Sequence, residues 1–432
     1  FAAKLGAAFG ATLPKGAVVT VNRDPHRTPR MIKRAIISGL PSAGINVADL
    51  ASVPIPVARY ITRISEAQGG IDVRLSPYDN RVVDIKFFDH NGMDIPKTFE
   101  RKIENTFFRE DFRRVYLDEV GLIYYQPRVL EGYTEGFEDA LKKSQLPAPS
   151  EDFSLVVDYC NAASSTILPS ILRRMGVRVV ALNAAVEDAR TVASPQEHEV
   201  AFAQCASISA ALHATMGVRI DAGGEKISLV TGKGQTVSGM TALAAMVDLV
   251  LRAKPGATVA VPVSASKLID DLAARHGGQV VRTRVNPRSM MEVAAREQVV
   301  MLGDGAGGFI FPDFHPAFDG MFAVAQIMGL LSAAGATLAD VVGSLPPYFM
   351  SSTKVSCPWE RKGRIMRILH EQYRDGQSRQ IDGIKIDLGD EWVLILPDPD
   401  RPLFHVIAES TSGEQARILQ DKYAALISGL QD

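Results

Sequence analysis

Hydrophobic and polar positions along the chain keep switching between two rhythms. AVVTVNR (17–23) reads as a strand and is followed by a helical segment, MIKRAIISGLPSAG (31–44). INVADL (45–50) returns to strand, VARYITRISEAQ (57–68) to helix and GGIDVRL (69–75) to strand. In the last of these, Ile71, Val73 and Leu75 alternate with polar residues, the period of a half-buried strand. A short second strand, Ile85 to Phe88, comes next. After a polar stretch rich in Pro and Ser (142–152) the rhythm restarts with FSLVVDY, STILPSILRRMG and VRVVALN. It restarts again at Pro255-Gly256 with ATVAVPV, SKLIDDLAARHG and QVVRTRV. These restarts predict three α/β units with mainly parallel sheets. The segment 359–432 differs: IKIDLGDEWVLILPD and LFHVIAES predict antiparallel strands, and GEQARILQDKYAALISGL a closing amphipathic helix, together a smaller α+β unit.

A chain of 432 residues holds two to four domains and can bury roughly three quarters of its unfolded surface without disulfide staples. The net charge of −2 provides no field to attract nucleic acid or an anionic membrane, so neither is expected as a partner. Cys160, Cys205 and Cys357 are odd in number and lack metal-site spacing. They are expected to be buried thiols in a reducing compartment. With no signal peptide visible, the expected location is cytoplasmic. The stretch Met321 to Ala339 is free of charge and long enough to span a bilayer. Gln326, Ser332, Thr337 and two glycines interrupt it, Asp319-Gly320 can cap its start, and Gly335 can break it into two helices. A membrane span is therefore not expected. Phe1 lies inside a helical segment with no initiator Met, which reads as part of something longer.

Ser76 stands at the tip of a polar loop after the strand 69–75, with Lys86 on the next strand. A serine so placed, near a cation, can carry a phosphoryl group; an ordinary Ser-Pro turn accounts for the same residues. The order of units, together with VNRDPHR, GGIDVRLSP, DIKFFD, LVVDYCNAAS and FIFPDFHPAFDG, resembles the α-D-phosphohexomutase family of phosphomannomutases and phosphoglucomutases. The resemblance implies an α/β chain of four domains around a cleft, three similar and the fourth α+β, here placed at 1–145, 146–252, 253–358 and 359–432. It implies Mg²⁺-dependent transfer of phosphate between the 1- and 6-hydroxyls of a hexose. It also implies roles: Ser76, Lys86 and Arg23 in catalysis, Asp221 and Glu225 as metal ligands, and Arg288, Asp304 and Arg401 toward the substrate.

The loops that would do this chemistry depart from the family pattern. After Ser76 the family's His-Asn-Pro is Pro77-Tyr78-Asp79, and Asp79 would repel a phosphoserine. The metal loop D-G-D-G-D-R is Asp221-Ala222-Gly223-Gly224-Glu225-Lys226, with its middle carboxylate gone. The sugar loop G-E-x-S-G-H is Gly303 to Gly308, without the hydroxyl or the imidazole. It matches G-x-G-x-x-G, but a strand rather than a helix follows, so no dinucleotide site is expected. The phosphate loop R-P-S-G-T-E-P is Leu396-Pro397-Asp398-Pro399-Asp400-Arg401-Pro402, where prolines offer no N–H and two carboxylates replace hydroxyls. One like-charge pair at about 4 Å costs on the order of 4 kcal/mol at an effective dielectric near 20, so a rigid Pro-rich hairpin fits these residues better than a phosphate grip. Asp313, His315 and Asp319 resemble a metal cluster by composition, with Asp319 better read as a helix N-cap.

Two functions follow from these readings. One is a phosphohexomutase fold that has lost or nearly lost turnover and serves as a binding, assembly or regulatory module. Its LSP and FFREDFRR segments resemble the mutase-like half of bacterial mannose-1-phosphate guanylyltransferase fusions. That implies an upstream nucleotidyltransferase domain or a homo-oligomer as partner, and a hexose phosphate as ligand. The other is a divergent active phosphohexomutase using Ser76, with Mg²⁺ at Asp221 and Glu225.

Overall fold

The computed structural model describes residues 1–76, 81–187, 194–373, 378–379 and 381–431. Four sheets follow one another along the chain. The first contains β1 (Val18–Arg23), β2 (Asn46–Asp49), β3 (Ala67–Leu75), β4 (Val83–Asp89) and β5 (Ile123–Tyr125), in the order β4-β3-β1-β2-β5. Pairing is parallel except between β3 and β4. The second contains β6 (Ser154–Asp158), β7 (Arg178–Leu182), β8 (Met216–Ile220), β9 (Ile227–Thr231) and β10 (Thr236–Val237), in the order β10-β9-β8-β6-β7. The third has β11 (Thr258–Pro262), β12 (Gln279–Thr283), β13 (Met301–Gly303) and β14 (Phe309–Ile310), in the order β12-β11-β13-β14. Each of the three has a parallel core and an antiparallel edge, as the strand–helix–strand rhythm predicts.

The fourth sheet is antiparallel: β15 (Phe349–Ser356), β16 (Ser378–Arg379), β17 (Ile384–Asp387), β18 (Trp392–Pro397) and β19 (Leu403–Ser410), in the order β15-β19-β18-β17-β16. The helix Gly413–Gly429 packs against it. β15 pairs with β19 along its whole length, so the fourth sheet reaches back to Phe349, earlier than the boundary expected at 358. Periodicity could not assign that strand, because only Val355 of its eight residues is buried.

The charge-free stretch resolves as two helices. Asp319 caps Gly320–Ala334 by accepting from Phe322 N at 2.9 Å, and Gly335 ends it at φ +57°. The helix Leu338–Ser344 follows at a bend of 77°. Every residue from Gly320 to Leu331 is buried inside the protein, and no single described helix is long and apolar enough to cross a membrane. The first helix ends at Gly335, where the sequence allows a break.

That helix lies in a core continuous through the first three units. Tyr60 of the first unit stacks on Phe314 of the third at 5.0 Å, and Phe314 stacks on Phe322 at 4.5 Å. Phe137, on the helix Val129–Ser144, lies edge-on to both Phe314 and Phe322. Glu409 ties the fourth unit to the third: it accepts from Ser266 Oγ at 2.5 Å and Lys267 N at 2.9 Å. The loops at the carboxyl ends of the sheets are therefore held on a rigid frame. Phe314→Ala removes the ring that joins the first and third units, and is expected to lower unfolding free energy by about 3–5 kcal/mol in chemical denaturation.

Candidate active site

The alternation that buries Ile71 and Val73 in the core places Asp72 and Arg74 on the opposite face of β3. The β3–β4 register sets Asp72 opposite Lys86 and Arg74 opposite Asp84. Facing this polar strip is the β8–β9 turn with Asp221 and Glu225. From the helix Ile55–Ile64 comes Arg59, fully buried under the Phe88 ring, with its guanidinium carbon 4.2 Å from the ring centroid.

Glu225 is the hub. Its Oε1 accepts from Arg59 Nε at 3.2 Å, and its Oε2 accepts from Arg74 Nη1 at 3.3 Å and Lys86 Nζ at 3.0 Å. Burial alone would raise this carboxyl's pKa, but Lys86, Arg59 and Arg74 outweigh it and hold the group far below the ordinary carboxylate range. Arg59 also donates to Asp94 Oδ1 at 2.7 Å and Gly92 O at 2.9 Å. Asp221 braces its own turn by accepting from Lys226 N at 2.9 Å, and burial raises its pKa.

The Asp221–Lys226 turn and the Gly303–Gly308 turn touch through backbone. Ile227 N donates to Gly307 O at 2.9 Å, and a Cβ on Gly307 would lie 2.1 Å from Ile227 O. A Cβ on Gly223 would meet Arg74 Nη1 at 2.9 Å. Glycine is needed at Gly307 for the backbones to approach this closely. Asp304 accepts from Ala306 N at 2.6 Å and Gly308 N at 2.8 Å, and pairs with Lys226 at 2.8 Å. Its carboxylate is committed within the protein. The G-x-G-x-x-G stretch is the hairpin turn between β13 and β14, as expected.

Residues 396–402 form the β18–β19 hairpin. Asp398 turns its side chain back into the loop: Oδ1 accepts from Asp400 N and Arg401 N, each at 2.9 Å, and Oδ2 meets His405 Nε2 at 2.9 Å. Lys362 Nζ donates to Asp398 O at 2.6 Å and to Arg401 O. Burial works against the Asp398 carboxylate, yet the N–H donors and His405 lower its pKa. The rigid hairpin was expected; the self-filled loop was not.

Ser76 directly follows β3, and its amide donates to Val82 O at 2.8 Å. Pro77, Tyr78 and Asp79 lie outside the described residues. Just before Ser76, Asp24 accepts from Leu75 N at 2.7 Å, and burial raises its carboxyl to about 6. Arg23 donates to Asp24 O at 2.6 Å. Arg288 is bonded to Asp89 Oδ2 at 2.9 Å, Glu292 Oε1 at 2.8 Å and Asp94 O. Lys86, Arg288, Pro397 and Asp400 line a cavity of about 990 Å³ where the first, third and fourth units meet. The structure thus joins Lys86 directly to Glu225, and Asp304 to the same turn through Lys226. Arg59 and Arg74 were missed in the sequence. The available signal was an arginine amid apolar neighbours, in VARYITRI and in DVRL.

The residues present do not fit Mg²⁺. A divalent ion needs several free hard oxygens, and Glu225 already carries three cationic partners. No group of three His, Cys, Asp or Glu among the described residues could hold a metal, so Asp313, His315 and Asp319 form no such site. Asp319 instead caps its helix and accepts from Tyr133 Oη at 2.6 Å.

Glu225→Gln leaves buried Arg59 and half-buried Arg74 and Lys86 without their carboxylate and is expected to cost about 3–5 kcal/mol at neutral pH. Because the folded pKa lies below the ordinary 4.5, that advantage is full above pH 4.5 and shrinks as pH falls below it. Parallel denaturation of both proteins from acid to neutral pH checks this; a gap that widens on acidification contradicts it.

Three family profiles match the chain: phosphoglucomutase/phosphomannomutase alpha/beta/alpha domain I over residues 1–114, domain II over 131–234 and domain III over 238–349. A phosphoglucomutase/phosphomannomutase of Thermococcus kodakarensis is 30% identical over 427 residues, covering 96% of this chain and 92% of that protein. A probable phosphoglucosamine mutase of Methanopyrus kandleri is 28% identical over 428 residues, covering 99% of this chain and 93% of that protein. The crystal structure of a phosphoglucomutase/phosphomannomutase family protein from Burkholderia thailandensis superposes with a TM-score of 0.85 at 19% identity, covering 99% of this chain and 93% of that one. It shares the fold. With its profiles spanning three units and a near full-length relative at 30% identity, the chain belongs to the phosphoglucomutase/phosphomannomutase family.

Proposed function

We propose that this chain is a phosphohexomutase-fold protein that has lost turnover and serves as a binding, assembly or regulatory module of a nucleotide-sugar pyrophosphorylase of the GDP-mannose type. The observation that carries this reading is the pairing of Glu225 with Arg59, Arg74 and Lys86. The carboxylate that would hold a divalent ion and the lysine that would act beside Ser76 neutralise each other. Asp398 adds to it by occupying the amides of Asp400 and Arg401 that a distal phosphate would use. The nucleotidyltransferase partner rests on the likeness of the LSP and FFREDFRR segments to fusion proteins of that kind. A hexose phosphate is the ligand class, and the cytoplasm the place of action.

With glucose 1-phosphate or mannose 1-phosphate, the matching 1,6-bisphosphate and Mg²⁺, a coupled assay is expected to show no turnover above background. Magnesium and EDTA are expected to leave the melting temperature unchanged. Mg²⁺-dependent turnover that disappears in Ser76→Ala overturns the proposal and establishes a divergent active mutase instead.

A further inference from the structure

His315 lies between β14 and the helix Gly320–Ala334, where the third unit meets the first. It is 1% exposed, and among the described residues no group offers a hydrogen bond to Nδ1 or Nε2. Buried side-chain nitrogens nearly always have a partner, so a ring with neither satisfied calls for a reason. Its backbone supplies none, because the amide donates to Phe311 O at 3.0 Å. The ring is walled in by packing. Tyr60 lies edge-on at 6.1 Å and Phe314 at 6.5 Å between centroids, and a Cβ on Gly92 would come within 3.1 Å of Cε1.

The charges that act on this ring are of the wrong sign to receive a proton. They are Arg63 and Arg59, both on the helix Ile55–Ile64 of the first unit. Arg63 donates through Nη2 to Phe314 O at 2.7 Å, while its Nε is buried with no partner among the described residues. Arg59 donates to Gly92 O at 2.9 Å. The two guanidinium groups thus bind the chain on either side of the imidazole, at its neighbour Phe314 and at Gly92, which touches it. Burial first, then Arg63 and Arg59, hold the imidazole well below its ordinary pKa.

The carboxylates around the joint are committed elsewhere. Asp94 and Glu225 are paired with Arg59. Asp319 accepts from Tyr133 Oη and caps its own helix. Asp313 is 73% exposed and pairs with Lys254 at 3.7 Å. On the helix Val129–Ser144, Glu135 and Asp139 lie within electrostatic reach of Tyr60 and pair with Arg128 and Lys142. On the helix Pro287–Arg296, Arg288 is paired with Asp89 and Glu292.

We propose that His315 is an acid-sensitive latch between the first and third units. Neutral, the ring completes the packing of Tyr60 and Phe314, and the joint stays closed. Taking up one proton, it becomes a third cation beside Arg59 and Arg63 with no carboxylate to receive it. The joint then opens to bring the imidazolium into water, and the bonds from Arg63 to Phe314 O and from Arg59 to Gly92 O give way with it. Because Arg59 also holds Glu225, the opening reaches the candidate site. The sign follows from linkage. An imidazole in the unfolded chain titrates near 6.5, and the folded one lies lower. The closed joint is therefore at full strength above pH 6.5 and weakens as pH falls below it. The latch stands whether or not the cleft turns over a hexose phosphate.

H315Q keeps a polar side chain of similar size but cannot take the proton. In chemical denaturation the wild type is expected to fall behind H315Q by up to about tenfold in folding constant for each pH unit below 6.5. Small-angle X-ray scattering is expected to show the wild-type radius of gyration rising on acidification while circular dichroism is kept, and that of H315Q staying constant. Parallel stability profiles, or equal radii of gyration throughout, overturn the proposal. Should H315Q not fold, H315F replaces it. Should neither fold, carbon-13 NMR of the wild-type imidazoles decides. A ring whose protonation coincides with the rise in radius supports the latch, and all eight histidines titrating near pH 6.5 without such a rise overturn it.

Discussion

The buried carboxylate of Glu225 is the constraint around which the site is arranged. A charge taken out of water must find partners, and Glu225 finds them on three elements: the helix bearing Arg59, β3 with Arg74, and β4 with Lys86. The first and second units cannot separate without exposing a carboxylate and three cations to each other's absence. Burying such a cluster adds little net stability, because desolvation offsets most of the attraction, but removing one member is costly. The cluster therefore fixes how the units meet more than it strengthens them. Arg59 extends the same constraint to Gly92 and Asp94, next to the contacts of Arg288.

A second carboxylate plays a comparable part in the fourth unit. Asp398 draws in the amides of Asp400 and Arg401, and Lys362 draws in the loop's carbonyls. In both places the protein supplies its own counter-charge where a member of this family would be expected to meet an external one. The family fold is kept by packing that does not involve these loops: the shared aromatic core of Tyr60, Phe137, Phe314 and Phe322, and the Glu409 tie between the third and fourth units.

The unit rhythm was legible because burial imposes a period. Ile71 and Val73 face the core at every second position, and the helix Gly320–Ala334 shows its burial as a charge-free run bounded by an aspartate cap and a left-handed glycine. Turn chemistry was equally local: the hairpin at 396–402 and the tight turn at 303–308 follow from proline and glycine. What escaped was whatever had only weak periodicity. Only Val355 of β15 is buried, and the strand's membership of the fourth sheet comes from pairing with β19 more than forty residues away.

The amino-acid sequence by itself determined the four-unit plan and the positions of Ser76, Lys86, Asp221 and Glu225 along the chain. Tertiary structure alone decided who partners whom. A lone arginine in an apolar helix does not disclose that it ends at a glutamate 166 residues later, and an aspartate beside two prolines does not disclose that it bonds its own loop. Periodicity is a property of neighbours along the chain, whereas charge pairing acts through space between segments that only folding brings together.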